Sequence, residues 1–210
     1  LTPNSINAIS YFNSKKAEDS AYDFEYNIIA LIDSAKEKMQ IYTPYFTPTE
    51  KILRAFKKAS DRGVQIQLYT NSVESSDVPI VAIYTYDNIK YWKSVMGANF
   101  QLFTYVDEPK VCLHTKLVLV DSDILLIGTG NWDYRSFFLD SNSFIAFNSK
   151  DPSFQVIQTS ILKNKMNWKW KEWLSSDFDE AANYVRNKFG EKTIKEALKM
   201  LDQSIVLNQL

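Results

Sequence analysis

Two hydrophobic rhythms alternate along most of this chain. Ile28, Leu31, Ile32, Ala35 and Met39 recur at three- and four-residue spacing, which predicts an amphipathic helix over about 21–38. A short strand at about 40–43 runs into Thr43-Pro44-Tyr45-Phe46-Thr47-Pro48, whose prolines forbid regular continuation and impose a shaped loop. Ile52, Ala55, Phe56 and Ala59 mark the next helix, which Gly63 ends. Val64, Ile66 and Leu68 then alternate with Gln65 and Gln67, the pattern of a half-buried strand. Residues 77–96 read as a helix stopped by Gly97, followed by strands at about 99–105, 112–120, 124–127 and 143–147. Two of these runs, 117–120 and 124–127, are apolar on both faces, as strands covered by helices on each side should be. Helices at about 152–173, 178–189 and 191–206 complete the pattern. The order implies an α/β fold with a mixed β-sheet flanked by helices over residues 1–175. Residues 176–210 read as a helical C-terminal tail, whose sequence is compatible with packing on the sheet unit or docking elsewhere.

Composition narrows the field. With 210 residues, 45% hydrophobic and 23% charged, the chain can bury one sizeable core, and neither disorder nor a membrane-embedded protein fits. Its 24 basic and 25 acidic side chains leave a net charge of -1, without the basic excess that nonspecific nucleic-acid binding requires. Cys112 is the only cysteine, so no intrachain disulfide can form and a reducing compartment fits. The longest apolar run, 117–127, is interrupted by Asp121 and Asp123 and is too short for a spanning helix. The chain starts at Leu1 without a signal-peptide pattern. It reads as a piece of a longer product, with any anchor or targeting segment elsewhere.

The chemistry concentrates in His114-Thr115-Lys116-Leu117-Val118-Leu119-Val120-Asp121 and in Gly128-Thr129-Gly130-Asn131-Trp132-Asp133-Tyr134-Arg135-Ser136. On a strand, residues two apart share a face, so His114 and Lys116 place an imidazole beside an ammonium. That pair suits a phosphoryl group: the ring nitrogen attacks phosphorus while the cation neutralises its oxygens. Asp121 has the opposite parity and sits where the strand should end, so it is expected to hold the structure. Asn131, in a small-residue turn after the next strand, can offer an amide donor to the same oxygens. Taken alone, a histidine near a strand is more often a satisfied core residue than a nucleophile.

The whole pattern resembles the signature of the phospholipase D superfamily. The Asp133-x-Arg135-Ser136 continuation resembles its cardiolipin-synthase branch, as do Thr43-Pro44-Tyr45-Phe46, Arg62-Gly63-Val64, Thr70-Asn71-Ser72 with Asp77, and the aromatic helix around Tyr84 and Tyr91. The resemblance runs over about 28–150. It implies a mechanism in which two copies of the motif face each other across a pseudo-twofold axis. One histidine becomes a phosphohistidine, and the other protonates the leaving alcohol and activates the acceptor. By the same resemblance His114, Lys116 and Asp121 are the catalytic motif, and Asn131, Ser136 and Asn71 bind substrate. No metal or other cofactor is implied.

Two departures stand out. A two-histidine site cannot be built from one histidine, so a second motif-bearing half is expected, from a missing N-terminal region or another copy. The family's glutamate 28 residues after the histidine, which accepts a bond from the ring, is Asn142 here, and Asp140 on the same strand face is the candidate substitute. A glutamate at 142 is expected to be tolerated and to help the ring. Elsewhere the plainer readings are favoured. Trp168, Trp170 and Trp173 read as packing of an amphipathic helix before a membrane-interface anchor. Lys163, Lys165, Lys169 and Lys171 read as a solvated face, and Cys112 as a small buried residue. Tyr45, Phe46, Tyr84 and Tyr86 are divided between core and a lipid pocket.

The expected function is a phosphatidyl transferase at a membrane surface, with phospholipid as substrate and peripheral association, on the cytoplasmic side. The rivals are a phospholipase, a nuclease of the same superfamily, and a degenerate half without catalysis.

Overall fold

The computed structural model describes residues 7–12, 24–106 and 111–206, the side chains of 7–12, 162, 164–167, 175, 197 and 200–206 excepted. Positions 21–23 of the predicted first helix lie outside them. The strands are β1 (Asn7–Phe12), β2 (Lys38–Tyr42), β3 (Gln65–Asn71), β4 (Phe100–Tyr105), β5 (Leu117–Val120), β6 (Ile124–Gly128), β7 (Ser141–Asn148) and β8 (Trp170–Trp173). They form one mixed sheet in the order β1-β7-β6-β5-β2-β3-β4-β8. The neighbours β2, β3 and β4 are parallel, while β5, β6 and β7 form an antiparallel meander against β2.

Helices α1 (Phe24–Ser34), α2 (Glu50–Asp61) and α3 (Pro79–Met96) cover one face. The sequence dictates α2 closely. Thr49 caps it by accepting from the Ile52 amide at 3.2 Å, Glu50 sits in its first turn, and Ile52, Leu53, Ala55, Phe56 and Ala59 are buried on one side. Gly63, at φ 91°, releases the chain into β3. These side chains join Met39, Ile41, Ile66, Leu68, Phe100, Leu102, Val118 and Val120 of the sheet in the main core. The two helices of the predicted tail, α6 (Phe178–Phe189) and α7 (Glu191–Val206), add Phe178, Ala181, Val185 and Ile194 to that same core, and α6 packs on α3.

The opposite face carries Tyr42, Tyr69, Leu117, Leu119 and Leu125, with Phe154, Ile157 and Ile161 of α5 (Pro152–Asn167) over them. Tyr42 stacks on Tyr69 and Tyr69 on Phe103, with ring centroids 4.5 and 4.6 Å apart. Beside this row, Gln40, Gln67, Gln101 and Glu172 link strand to strand through side-chain hydrogen bonds of 2.8–3.0 Å.

Four elements differ from the sequence expectation. The helix predicted over 152–173 is α5 followed by the edge strand β8, so Trp168, Trp170 and Trp173 do not share a helical stripe. Trp170 packs edge-on to Tyr69, with centroids 5.1 Å apart, and Trp173 faces the main core, donating to Thr104 Oγ1 at 2.8 Å. Aromatic residues three apart fit a helix turn and also opposite faces of a strand; pairing with β4 decides for the strand. Lys171 lies over the Trp173 ring, 3.7 Å from its centroid, while Lys163 and Lys169 are exposed and the Lys165 side chain lies outside the described residues. The strand predicted over 112–120 is regular only from Leu117. Neither β1 nor the short α4 (Tyr134–Phe138) was signalled by periodicity.

Asp121 closes the turn after β5 at φ 52°, in the left-handed region that an aspartate tolerates better than most residues. Its carboxylate accepts from the amides of Lys36, Glu37 and Lys38 at 3.0, 2.8 and 2.8 Å, tying the entry of β2 to the end of β5. Burial raises its pKa, but the bonds from Lys38, Glu37 and Lys36 outweigh that and hold the carboxyl below the usual value. A depressed folded-state pKa gives stability that is present above the unfolded value and lost as pH falls through the folded one. Asp121→Asn keeps the left-handed turn and removes the charge. It is expected to cost about 1–3 kcal/mol at neutral pH. Denaturation across pH should show that gap closing below about pH 4; a gap independent of pH would show that the ionised carboxylate is not what holds the turn.

Candidate active site

The sheet gathers the motif residues at one end. The parallel strands β2 and β3 finish at Tyr42 and Asn71, and the antiparallel β5 starts beside Tyr42 at Leu117, which in turn pairs with Ile127 of β6. The loops 43–49, 72–78, 111–116 and 129–133 therefore leave from the carboxyl end of the parallel strands, where open α/β sheets hold ligands.

His114 is exposed on the irregular stretch before β5, and Lys116, two residues on, is buried at 9% exposure. The expected shared face is present without a regular strand: Lys116 Nζ lies 2.9 Å from Nδ1 and 3.0 Å from Nε2 of His114, and donates to the His114 carbonyl at 3.1 Å. Burial pulls the Lys116 ammonium below the ordinary lysine value, while Cys112, Asp133 and Asp77 act in the opposite sense. A phosphoryl group whose oxygens met Nζ would bring its phosphorus within reach of a ring nitrogen.

The backbone under His114 is fixed from below. Asn71 is 2% exposed; its amide nitrogen donates to the carbonyls of Leu113 (3.0 Å) and Pro44 (3.3 Å) and to Cys112 Sγ (3.3 Å). Its oxygen accepts from the Leu113 amide at 2.8 Å and from Ser75 Oγ at 3.2 Å. Asn71, expected to bind substrate, is thus committed to the main chain and positions the segment that carries His114. Ser136 receives a similar correction. It is 2% exposed, and its hydroxyl accepts from the Asn131 amide at 2.9 Å, shaping the turn. Asp133 caps α4 by accepting from the Ser136 amide at 2.8 Å; burial raises its pKa against lowering bonds from Ser136 and the Asn131 side chain. Asn131 Oδ1 is buried without a hydrogen-bond partner.

Among the described residues the two orienting candidates have other hydrogen-bond partners than His114. Asp140 is ion-paired with Arg135 at 2.9 Å. Asn142, 7% exposed, accepts from Thr129 Oγ1 at 3.1 Å and donates to the carbonyls of Ser136 (3.1 Å) and Asp140 (3.5 Å). A glutamate there would turn a carboxylate toward two carbonyl oxygens, so the expectation that it would be tolerated is withdrawn. The glycines beside this network are steric. A Cβ on Gly128 would lie 2.2 Å from the Phe144 ring, and one on Gly130 would lie 2.6 Å from it and 3.1 Å from Asn142 Cγ. Asp121 is at the far end of β5, joined to Lys38.

Sequence reasoning left three residues of this end out of the site. Asp77 Oδ1 accepts from Tyr45 Oη at 2.7 Å and from Cys112 Sγ at 3.3 Å, and Asp77 lies within electrostatic reach of His114. Trp132 buries its ring in the core directly after Asn131. The signal for Asp77 and Tyr45 was present, since both fall in loops that follow strand ends. Of the four aromatics divided between core and pocket, Phe46 and Tyr86 are core, at 1% and 2% exposure. Tyr84 lines a cavity of about 510 Å³ between the 43–49 loop and α4, with Tyr134, Phe138, Thr47, Pro48 and Thr49 and the charged Glu25, Glu50 and Lys51.

Residues 28–170 match the family described as cardiolipin synthase, PLD-like domain. A cardiolipin synthase 2 of Bacillus cereus is 36% identical over 118 residues, 55% of this chain and 21% of that protein. The chain thus spans well under half the length of the curated relatives it matches. Among solved structures, a phosphatidylserine synthase of Haemophilus influenzae superposes with a TM-score of 0.68 at 14% identity, over 93% of this chain and 47% of that one. Nuc, a phospholipase D family member from Salmonella typhimurium, superposes with a TM-score of 0.57 at 17% identity, over 79% of this chain and 98% of that one. At these identities the two structures speak for the fold.

Proposed function

The chain belongs to the family of cardiolipin synthase PLD-like domains, and from that premise we propose that it is one catalytic half of a phosphatidyl transferase. It moves a phosphatidyl group from a phospholipid to a lipid alcohol through a phosphohistidine. The observation that carries this reading is the Lys116 ammonium set against both ring nitrogens of the chain's only histidine. In this reading His114 is nucleophile or acid–base, and Lys116 and Asn131 bind the phosphoryl oxygens.

A second imidazole is needed to protonate the leaving alcohol, and we assign it to a second motif-bearing half. The coverage figures support this: the fold fills 47% of the phosphatidylserine synthase chain, room for two such units. Lipid is favoured as substrate by the balanced charge and by Val111, which is 55% exposed three residues before His114. No helix among the described residues is long and apolar enough to cross a membrane, so we read the association of this half with the membrane surface as peripheral.

The test is a two-motif protein containing this chain, mixed with phospholipid vesicles. It should form a transphosphatidylation product, with negligible DNA cleavage. Lys116→Ala should lower kcat/KM by about 30- to 1,000-fold, about 2–4 kcal/mol of transition-state stabilisation. Salt-sensitive DNA cleavage without lipid product would sink the lipid reading, and hydrolysis without transfer would make the protein a phospholipase.

A further inference from the structure

Helix α6 lies beyond residues 28–170, which match the family, yet it reaches toward the end of the sheet that carries His114. Its apolar side, Phe178, Ala181 and Val185, is buried in the main core. Its polar side pairs with α3, Asp179 with Lys90 at 2.6 Å and Arg186 with Asp87 at 3.7 Å. Two further polar contacts leave α3 for the 72–78 loop. Lys188 Nζ donates to Glu74 Oε1 at 2.8 Å and to Tyr184 Oη at 3.1 Å, and Tyr184 Oη donates to the same Glu74 oxygen. Burial pushes the Glu74 carboxyl up, but the bonds from Lys188 and from its own amide outweigh that and hold it below the usual value. The loop so gripped leads to His114. The amides of Glu74 and Ser75 both donate to Ser72 Oγ at 3.2 Å, and the Ser72 amide donates to Ser75 Oγ at 2.9 Å, which closes a tight turn. Ser75 Oγ donates to Asn71 Oδ1 at 3.2 Å, and Asn71 holds the amide and the carbonyl of Leu113, the residue before His114. Asp77, further along the same loop, accepts from the Cys112 thiol at 3.3 Å. Asn71, Ser72 and Ser75 are buried, and close-packed groups pass a displacement on to their neighbours.

We propose that Glu74 is a positioning residue: through it α6 fixes the 72–78 turn, and through Ser75 and Asn71 the turn fixes the place of His114 against Lys116. This rests on the catalytic reading of His114 above and adds a control on it from a helix outside the matched domain. Glu74 touches no reacting atom; it acts through the main chain of Leu113. The two effects of such a pair differ in size. The Lys188 and Glu74 side chains are 38% and 41% exposed, and an ion pair that open to water adds little to stability. A displacement of about 1 Å at a reacting group can cost on the order of 100-fold in rate. Loss of the pair therefore shows in turnover and hardly in melting.

The experiment uses the two-motif protein on phosphatidylglycerol vesicles, with release of the glycerol headgroup, by transfer or by hydrolysis, as the rate. Glu74→Lys and Lys188→Glu should each lower kcat about five- to tenfold, with KM within about twofold of wild type and the melting temperature hardly changed. The double variant, which restores the pair with its signs exchanged, should recover about half of the wild-type kcat or more. If a reversal fails to fold, Glu74→Gln carries the test and should lower kcat about threefold. Unchanged kcat in the single variants overturns the proposal. So does a fall in kcat that the double variant does not recover, because the pair is then not what transmits the effect. A rise in KM at constant kcat also overturns it, by assigning the loop to substrate binding. A wild type that only hydrolyses overturns the transferase reading alone, since the same comparison of kcat still decides on Glu74. A wild type that releases no headgroup overturns the catalytic reading of His114 and the positioning role with it.

Discussion

Lipid turnover is expected to vanish when His114 is replaced by alanine in the two-motif enzyme, while its thermal stability hardly changes. The stability half follows from placement. His114 is exposed, and its ring contacts run to Lys116, and surface changes of this kind are usually within about 0.5 kcal/mol. The activity half follows from chemistry. Without a ring nitrogen no phosphohistidine forms, the chain holds no second histidine to stand in, and loss of a nucleophile typically costs roughly 10⁴-fold or more. Steady-state turnover and a thermal melt on the same preparation check both halves. Turnover within tenfold of wild type would remove His114 from the mechanism, and a large fall in melting temperature would show that it holds the fold.

The largest effect on stability is expected at Trp132, the residue after Asn131. It is 2% exposed, and its ring lies 5.7 Å from Phe56 and 6.2 Å from Phe46, centroid to centroid. Its amide donates to Thr43 Oγ1 at 3.3 Å and its carbonyl accepts from the Thr47 amide at 2.8 Å, joining the two loops that flank the site. Trp132→Ala should cost about 3–5 kcal/mol, the range for emptying a large aromatic site. Trp132→Phe, which keeps the stacking, should cost less, about 1–2 kcal/mol. Denaturant titration measures both. A loss below about 1 kcal/mol for alanine would show that the loop can close without its anchor.

The α/β class, the mixed sheet and most helices were legible because their apolar residues follow a single period. Ile52, Ala55, Phe56 and Ala59 do so without conflict, and α2 lies where they place it. Trp170 and Trp173 satisfy both periods, and only β4 beside them decides for a strand. The approach of His114 to Lys116 was legible, since extended backbone suffices for it. The tasks of Asn71, Ser136 and Asn142 were not. An amide or hydroxyl in a motif reads as a ligand for substrate, and only burial reveals that its bonds go to the main chain. Asp77 was visible in the sequence but its partners were not, because Tyr45 and Cys112 reach it across 32 and 35 positions of sequence.

Those separations bear on how the protein acquires its native state. Leu113 is held by Asn71 from 42 positions away, Lys38 by Asp121 from 83, and Trp132 is bonded to Thr43 across 89. Closing such long loops costs entropy before any contact rewards it, which makes chains of this topology slow folders. A nascent chain ending before β5 would have its parallel strands, α2 and the His114–Lys116 stretch, but not the strand that holds that stretch against β2 nor the turn at Asn131. The pocket is therefore a late product of folding, assembled when the meander from β5 to β7 closes onto β2.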